Sequence, residues 1–502
     1  RINGLDGPYT QILLDSRPIF SALSGVYGIE QIPASMIERV EVMRGGGSAL
    51  FGSSAIAGTI NIITKEPMRN SGMLSHTITG IGDGDVFDNS TALNASLVTD
   101  DQRAGLYIFG QNRHRSAYDH DGDGYSEIPK LHGQTIGFRS FLKTTTYSKL
   151  TFEYHHMEEF RRGGDLLNRP PHEANVAEQT EHSINGGGLK FDYFSPNENH
   201  RFNVFASAQH INRDSYYGPG DRDPLDAYGN TTDLNWMAGS QYVYSFGKCI
   251  FMPSDLTAGI EFNQDKLEDN MWGYNRTVDQ KVNIGSAFLQ NEWKNDHWGF
   301  LIGGRLDKHN LIDHVIFSPR ANLRYNPTEN INLRFSYSSG FRAPQAFDED
   351  LHVENVGGNV AMVELADNLK EERSQSLSAS ADIYHRFGAS QVNFLVEGFY
   401  TKLSDVFALT DGEVVDGILT RTRHNASGAQ VLGLTLEGKM AYLNKIQVQA
   451  GVTLQQSHYS KPHIWNKEAP AVKKMMRTPN TYGYFTATYT PIKPLSIALS
   501  GT

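Results

Sequence analysis

NKIQVQAGVTLQQ, residues 444–456, decides how the rest of the chain is read. Ile446, Val448, Ala450, Val452 and Leu454 fall on one face of an extended segment, and Lys445, Gln447, Gln449, Thr453 and Gln455 on the other. Successive side chains of a strand point to opposite sides, so the segment has one apolar and one polar face. A strand of a soluble protein shows such alternation over about five or six residues. Here it continues for about ten, the length that crosses a bilayer when tilted.

The pattern repeats outward from there. NINLRFSYSS (330–339) sets Ile331, Leu333, Phe335 and Tyr337 against Asn332, Arg334, Ser336 and Ser338. From residue 71 onward, segments of roughly ten to fifteen residues follow the same period. Their connections alternate in length. TTTYSK (144–149), SPNEN (195–199), NPTEN (326–330) and TPIKP (490–494) are short and rich in turn residues. The stretches 115–131, 161–179, 216–233, 342–371 and 405–426 are long and polar. Short turns on one side and long loops on the other are the outer-membrane arrangement, with an apolar outer face and a polar lumen. The fold class is therefore an all-β transmembrane barrel. About 19 strands are expected here, and about 22 in the intact protein if it is a plugged transporter. LSIALSGT (495–502) stops inside an alternating strand and Arg1 is not a Met, so both ends read as cut. A propeller or sandwich array would need shorter strands or a fixed repeat period.

Composition agrees. Hydrophobic residues make up 39% of the 502, and no apolar run reaches about eighteen residues, so no spanning helix is expected. The 48 glycines and 11% aromatics suit tight turns and interfacial girdles. A net charge of -11 argues against nucleic acid as a partner. Cys249 is the single cysteine, which excludes an internal disulfide.

Residues 1–67 read differently. QILLD (11–15), IPASMIERVEVMRG (32–45) and TINIITK (59–65) are short α/β-like pieces. A helix is predicted to open at Ser35 and pass into the strand VEVM, and the run Gly45, Gly46, Gly47 breaks it. The expected organisation is a small α/β domain, or half of one, over 1–67 and a barrel over 68–502.

IPASMIERVEVMRGGGSALFGSSAIAGTINIITKEP (32–67) strongly resembles the second half of the plug of TonB-dependent outer-membrane receptors. The resemblance rests on IERVEV (37–42), Arg44, Gly45, SALFG (48–52), Gly58 and INIIT (60–64). SSGFRAP (338–344), DNLKEERSQS (367–376) and VLGLTLEG (431–438) are similar to pieces of the same family's barrel, so the likeness spans the chain. It implies a bacterial outer-membrane receptor, lacking here the first half of its plug and its last strands. It also implies import of a scarce metal chelate driven by the TonB–ExbB–ExbD complex. A cobalamin-type corrinoid is the first expectation, a ferric siderophore or haem the second. Outer-membrane lipids are further partners, and a surface lipoprotein is a candidate one. The energy-coupling box of the family precedes the plug and is absent from this sequence.

The resemblance also assigns residues. Plug arginines of the family pair with barrel glutamates, which nominates Arg39 and Arg44 with Glu397 and Glu437 as an ionic lock. The bland alternative is a solvated face, since Glu38, Arg39, Glu41 and Arg44 alternate in sign. Family plugs offer apical loops to the ligand, which nominates Ser16, Arg17, Phe20, Ser21 and Tyr27. In the outer loops, Tyr216, Tyr217, Trp272 and Tyr274 could stack on a flat ligand, or serve as girdle and packing residues.

DHDGDGYSE places Asp119, Asp121, Asp123 and Glu127 around Gly124. Alternating carboxylates about a glycine suit a hard cation, so calcium is the candidate, against a plain solvated turn. The run matches the first half of an EF-hand loop but has Lys130 where the closing Glu belongs. Asp221, Asp223 and Asp226 form a second acidic loop. His352 lies where haem receptors of the family use an axial histidine, although a loop histidine is unremarkable among 18. No catalytic cofactor or enzyme activity is expected. GGGSALFG lacks the Lys-Ser/Thr pair of a phosphate loop, and the HEA at His172 lacks a second histidine at metalloprotease spacing.

Overall fold

The computed structural model describes residues 2–5, 7–18, 32, 34–45, 47, 51–219, 228–356, 359–415, 418–443, 445–463, 470–475 and 478–502. Phe20, Ser21, Tyr27, Asp221, Asp223 and Asp226 lie outside them.

From Ser71–Ile81 to Leu495–Gly501 the strands form one antiparallel sheet whose order closes on itself as a barrel. Among the described residues it holds nineteen long strands and the three-residue Val472–Lys474. Neighbouring long strands pair residue by residue, as in Thr435↔Thr453. The first and last strands are neighbours in that order, and both are exposed along most of their length.

The alternation in the sequence sets the two faces of the wall. Thr453, Gln455 and Ser457 are buried toward the lumen, and Thr453 shares a 3.0 Å hydrogen bond with Thr435. Val452 and Leu454 point outward, 38% and 48% exposed. Leu93, Ile136, Ile260, Ile302 and Leu434 project from the wall in the same way. Such a surface is untenable in water and is solvated by lipid in a bilayer. At the short-turn end, Trp298 stacks on Tyr325 at 4.2 Å between ring centroids and Phe251 on Trp293 at 5.6 Å, an interfacial girdle.

Connections 99–103, 146–147, 195–199, 250–251, 295–297, 329–330, 388–389 and 443–445 all lie at that end. At the other end the strands overshoot. His200–Pro219 and Tyr228–Cys249 have 20 and 22 residues, about twice what a tilted crossing requires. The loops expected at 115–131 and 161–179 therefore shrink to 116–125 and 165–175, and 272–275 is a tight turn.

Two long connections, 343–371 and 405–428, fold over the mouth. They build a second sheet in the order Glu354–Val356, Asn359–Leu365, Ile418–Asn425, Phe407–Val415. Leu351 is buried against Met157, Ile184, Ile211 and Leu267 of the barrel wall. Arg276 donates to the carbonyls of Asp350 (3.3 Å) and Leu351 (2.8 Å), which fixes the first loop inward.

A four-stranded sheet stands apart from the wall in the order Arg17–Pro18, Thr10–Leu14, Gly58–Thr64, Ile37–Arg44. Thr10–Leu14 runs parallel to Gly58–Thr64, and Ile37–Arg44 antiparallel to it. The helix predicted at Ser35 is only a 3-10 turn, Ala34–Met36, and the strand starts at Ile37. Pairing along Gly58–Thr64 overrides a weak helical preference there. This small sheet shares its core with the barrel: Ile2, Leu5, Tyr9, Ile56 and Ala57 pack on Phe399, Leu403, Val406 and Val431.

Candidate functional site

Among the described residues, polar contacts fasten the inner sheet to the wall at three places. The first lies toward the short-turn end. Arg139 of the wall reaches Asp15, Thr64 and Glu153, and Arg17 reaches Glu153. Lys149 binds Glu66 at 2.8 Å. Burial alone would raise the Glu66 carboxyl. The hydrogen bond and charge of Lys149, with Arg139 nearby, overcome it and hold the group below the usual carboxylate range.

The second is at mid-wall. Arg44 Nη2 lies 2.6 Å from Glu437 Oε1, and Nη1 lies 3.1 Å from Glu397 Oε2. Burial works to lower the Arg44 pKa, and the two carboxylates raise it above its ordinary value. Arg39 does not join them. It pairs with Glu41 of its own strand at 2.8 Å, because an offset of five residues puts it on the face of the strand opposite to Arg44.

The third is at the mouth and was not foreseen from the sequence. Tyr9 donates to Glu372 Oε1 across 2.9 Å, with both side chains buried. The backbone N–H of Phe407 donates to the same oxygen at 2.6 Å, and Arg342 lies 3.7 Å from the other. The Arg342 guanidinium also sits 4.1 Å from the centre of the Phe347 ring. Ser54 N–H donates to the Phe341 carbonyl at 2.9 Å, and Ala343 N–H to Ser53 Oγ at 3.3 Å. Phe341, Arg342 and Glu372 belong to the SSGFRAP and DNLKEERSQS stretches. A buried Arg–Glu pair hidden in those two motifs was the signal that could have found this contact. Burial, then the charge of Glu372, drives the Tyr9 phenol well above its ordinary pKa.

The other nominated residues are placed as follows. Ser16 occupies a turn of the inner sheet at φ +66, its N–H donating to Asn61 Oδ1 at 2.8 Å. Arg17 contacts the wall instead of facing the mouth. Tyr216 and Tyr217 are not in a loop: they belong to strand His200–Pro219 and are fully buried. Tyr274 is buried too, donating to the Tyr217 carbonyl at 2.5 Å. The overshooting strands turn these rings into packing residues. Trp272, at the tip of the 3-10 turn, is the exception at 61% exposure. His352 contacts Glu178 at 3.4 Å and packs edge-on against Tyr217, so its imidazole is engaged with protein groups.

Asp119, Asp121, Asp123 and Glu127 do converge. One carboxylate oxygen from each lies within 4.8 Å of the others. Gly122 N–H and Gly124 N–H donate to Asp119 at 2.7 and 2.8 Å, and His120 N–H to Glu127 at 2.5 Å, which winds the loop. Four like charges at this spacing repel unless a cation joins them, and oxygen ligands suit a hard one. Lys130 does not neutralise the cluster. Its amine lies 5.8 Å over the Phe160 ring.

A sheet fastened by ion pairs inside a closed lipid-facing barrel has counterparts among known proteins. Residues 73–500 match the model of the TonB-dependent receptor-like β-barrel, and residues 1–59 match that of the TonB-dependent receptor plug domain. The chain belongs to the TonB-dependent receptor family. The inner sheet is thus the plug and the ring an outer-membrane barrel, in a family of receptors that are not enzymes. An iron-regulated outer membrane virulence protein of Vibrio cholerae is 26% identical over 383 residues, covering 72% of this chain and 54% of its own. The vitamin B12 transporter BtuB of Vibrio vulnificus is 23% identical over 360 residues, covering 69% and 54%. The chain thus spans about half the length of the curated relatives it matches. The siderophore receptor PirA of Acinetobacter baumannii shares the fold with a TM-score of 0.79, at 18% identity over 99% of this chain and 78% of its own.

Proposed function

We propose that the protein of which this chain is part imports a scarce metal chelate across the outer membrane, driven through its plug by the TonB–ExbB–ExbD complex. The observation that carries this reading is how the plug is held. Charged and polar contacts at three levels hold it (Glu153 with Arg17, Arg44 with Glu397 and Glu437, Tyr9 with Glu372), and no covalent bond joins plug to wall there. Such contacts can be exchanged for water at modest net cost, so a pull on the plug could release them. A passive porin, the reading of another class, has no use for a latched domain across its lumen.

A cobalamin-type corrinoid is the preferred cargo. The likeness to a vitamin B12 transporter and the convergent acidic loop support it. A ferric siderophore is the second reading, supported by the likeness in fold to a siderophore receptor. Calcium is proposed as the accessory cation of Asp119, Asp121, Asp123 and Glu127, and a surface lipoprotein remains a candidate partner. The test is uptake by cells carrying the full-length gene or its deletion, using radiolabelled cyanocobalamin and iron-55 chelates, with and without a protonophore. Protonophore-sensitive cobalamin uptake lost on deletion is expected. Loss of iron uptake alone would select the second reading, and no change in either would end both.

A further inference from the structure

Strand Arg276–Lys294 is paired on one side over nearly its whole length, from Met271↔Arg276 to Ser254↔Trp293. On the other side, pairing with Trp298–His309 begins only at Ile284↔His309. Asn310 covers the next step, its amide donating to the Lys281 carbonyl at 2.7 Å and its Oδ1 accepting from Asn283 N–H at 2.8 Å. Beyond that, residues 277–280 keep an edge with no partner strand among the described residues.

A second open edge stands in the mouth sheet. Asn359–Leu365 pairs with Ile418–Asn425 along 360–365 on one side. On the other, Glu354–Val356 covers only 359–361. Residues 362–365 are left without a second strand among the described residues.

Both edges border one cleft of about 940 Å³. Its lining includes every residue of 274–281 and every residue of 362–367. A strand that shows its face to a cavity contributes alternate residues, whereas one that shows its edge contributes consecutive ones. The cleft is therefore bounded by backbone donors and acceptors on two sides. Leu311, Leu369 and Ile418 supply apolar lining.

We propose that this cleft is a docking slot for an extended, basic polypeptide segment of a protein outside the cell, which adds as a strand against these edges. Four open residues on each edge offer about 13 Å, enough for a segment of about four residues. Charge selects the sign of the segment. Arg276 is committed to Asp269 at 2.9 Å and Asp350 to Arg423 at 2.5 Å. The remaining charged residues of the lining are Asp279, Glu364 and Asp367 against Lys281, an acidic rim. Charged residues on an edge also guard against indiscriminate pairing, which a slot of this kind needs.

The experiment uses the purified receptor in detergent and a fluorescein-labelled hexapeptide alternating lysine and valine, followed by anisotropy. Two control peptides carry glutamate for lysine, or N-methyl groups on alternate backbone nitrogens. Saturable binding of the lysine peptide is expected. N-methylation should abolish it, and the glutamate peptide should bind at least about tenfold more weakly. Asp279→Lys and Glu364→Lys, checked for the heat-dependent gel mobility of a folded barrel, should each weaken the lysine peptide by about tenfold. Equal binding of the N-methylated peptide, indifference to both substitutions, or no saturable binding of the lysine peptide would each overturn the proposal.

Discussion

Tyr9 of the plug and Glu372 of the barrel wall, 363 residues apart in sequence, share a 2.9 Å hydrogen bond from which water is excluded. Glu372 is also held by the Phe407 N–H and faces Arg342, so it stands where wall, plug and mouth loops meet. The plug is thereby tied to the same loops that fold over the mouth. A displacement of 405–428 pulls on an acceptor that the plug also uses.

Tyr9→Phe removes that donor and keeps the ring in the shared apolar core. It should cost about 1–3 kcal/mol of plug docking, because a buried carboxylate oxygen loses a partner. Faster amide exchange in Thr10–Leu14 with an unchanged barrel would be the signature. The pH dependence has a definite sign. The folded phenol has a raised pKa, so its contribution is complete below the unfolded value of about 10 and is lost only as pH climbs through the folded one. An alkaline loosening of the plug that Tyr9→Phe leaves untouched would contradict this assignment.

Arg44, Glu397 and Glu437 should behave as one unit. Arg44 is partly open to the lumen, so each pairing is screened and a coupling of about 0.5–1 kcal/mol is expected for it. A double-mutant cycle of Arg44→Ala with Glu437→Ala, read by chemical denaturation of the plug, measures this. Arg39→Ala, whose partner is its neighbour Glu41, should be nearly neutral in the same assay.

Acid should loosen the short-turn end of the plug. The Glu66 pKa is depressed by Lys149 and Arg139 against the opposing effect of burial. Its stabilisation is present above the unfolded carboxyl value of about 4.3 and is lost as pH falls through the lower folded value. Hydrogen exchange in Gly58–Thr64 should quicken in that window. Lys149→Met should shift its onset toward the unfolded value, and an onset that does not move would remove Glu66 from the latch.

Much of this was legible in the sequence because period-two alternation and turn chemistry are local. Thr453 inward and Leu454 outward follow from spacing alone. The mid-wall contact of Arg44 with Glu397 and Glu437 was nominated through a family likeness, since nothing local joins residues 353 and 393 positions apart. Tyr216, Tyr217 and Tyr274 misled for a physical reason. Polar, aromatic stretches look like loop tips, yet here they lie in strands, or at a strand end, that continue past the bilayer and pack on each other. Arg17 and Glu153 were illegible as a pair, because the inner sheet and the wall meet only once the chain is folded.

Gly58 is fixed by geometry. It sits at φ +155, and a Cβ there would come 2.2 Å from the Met43 carbonyl oxygen, a backbone atom that cannot turn aside. Gly58→Ala must break the Arg44↔Gly58 register or shift the strand. A loss of more than about 2 kcal/mol in plug stability is expected. Because Arg44 carries the contacts with Glu397 and Glu437, the substitution should also raise ion conductance through the receptor in planar bilayers. Wild-type conductance together with wild-type stability would show that the strand tolerates the added carbon.

The acidic loop supports a prediction about cations that separates ligation from ordinary turn chemistry. In a solvated turn the carboxylates of Asp119, Asp121, Asp123 and Glu127 would gain by pointing apart. Instead they converge within 4.8 Å while backbone N–H groups brace Asp119 and Glu127. With Lys130 in place of a closing bidentate carboxylate, the site should be weak, with a Kd of about 10⁻⁴–10⁻³ M for calcium. Titration calorimetry of the purified receptor measures it, and Asp121→Asn should weaken it about tenfold by removing one charged ligand. Calcium should also protect the 116–125 connection from proteolysis, since a bound cation cancels the repulsion that otherwise opens the loop. Protection by magnesium equal to that by calcium would point to simple charge screening, and the ligand set would then be only a turn.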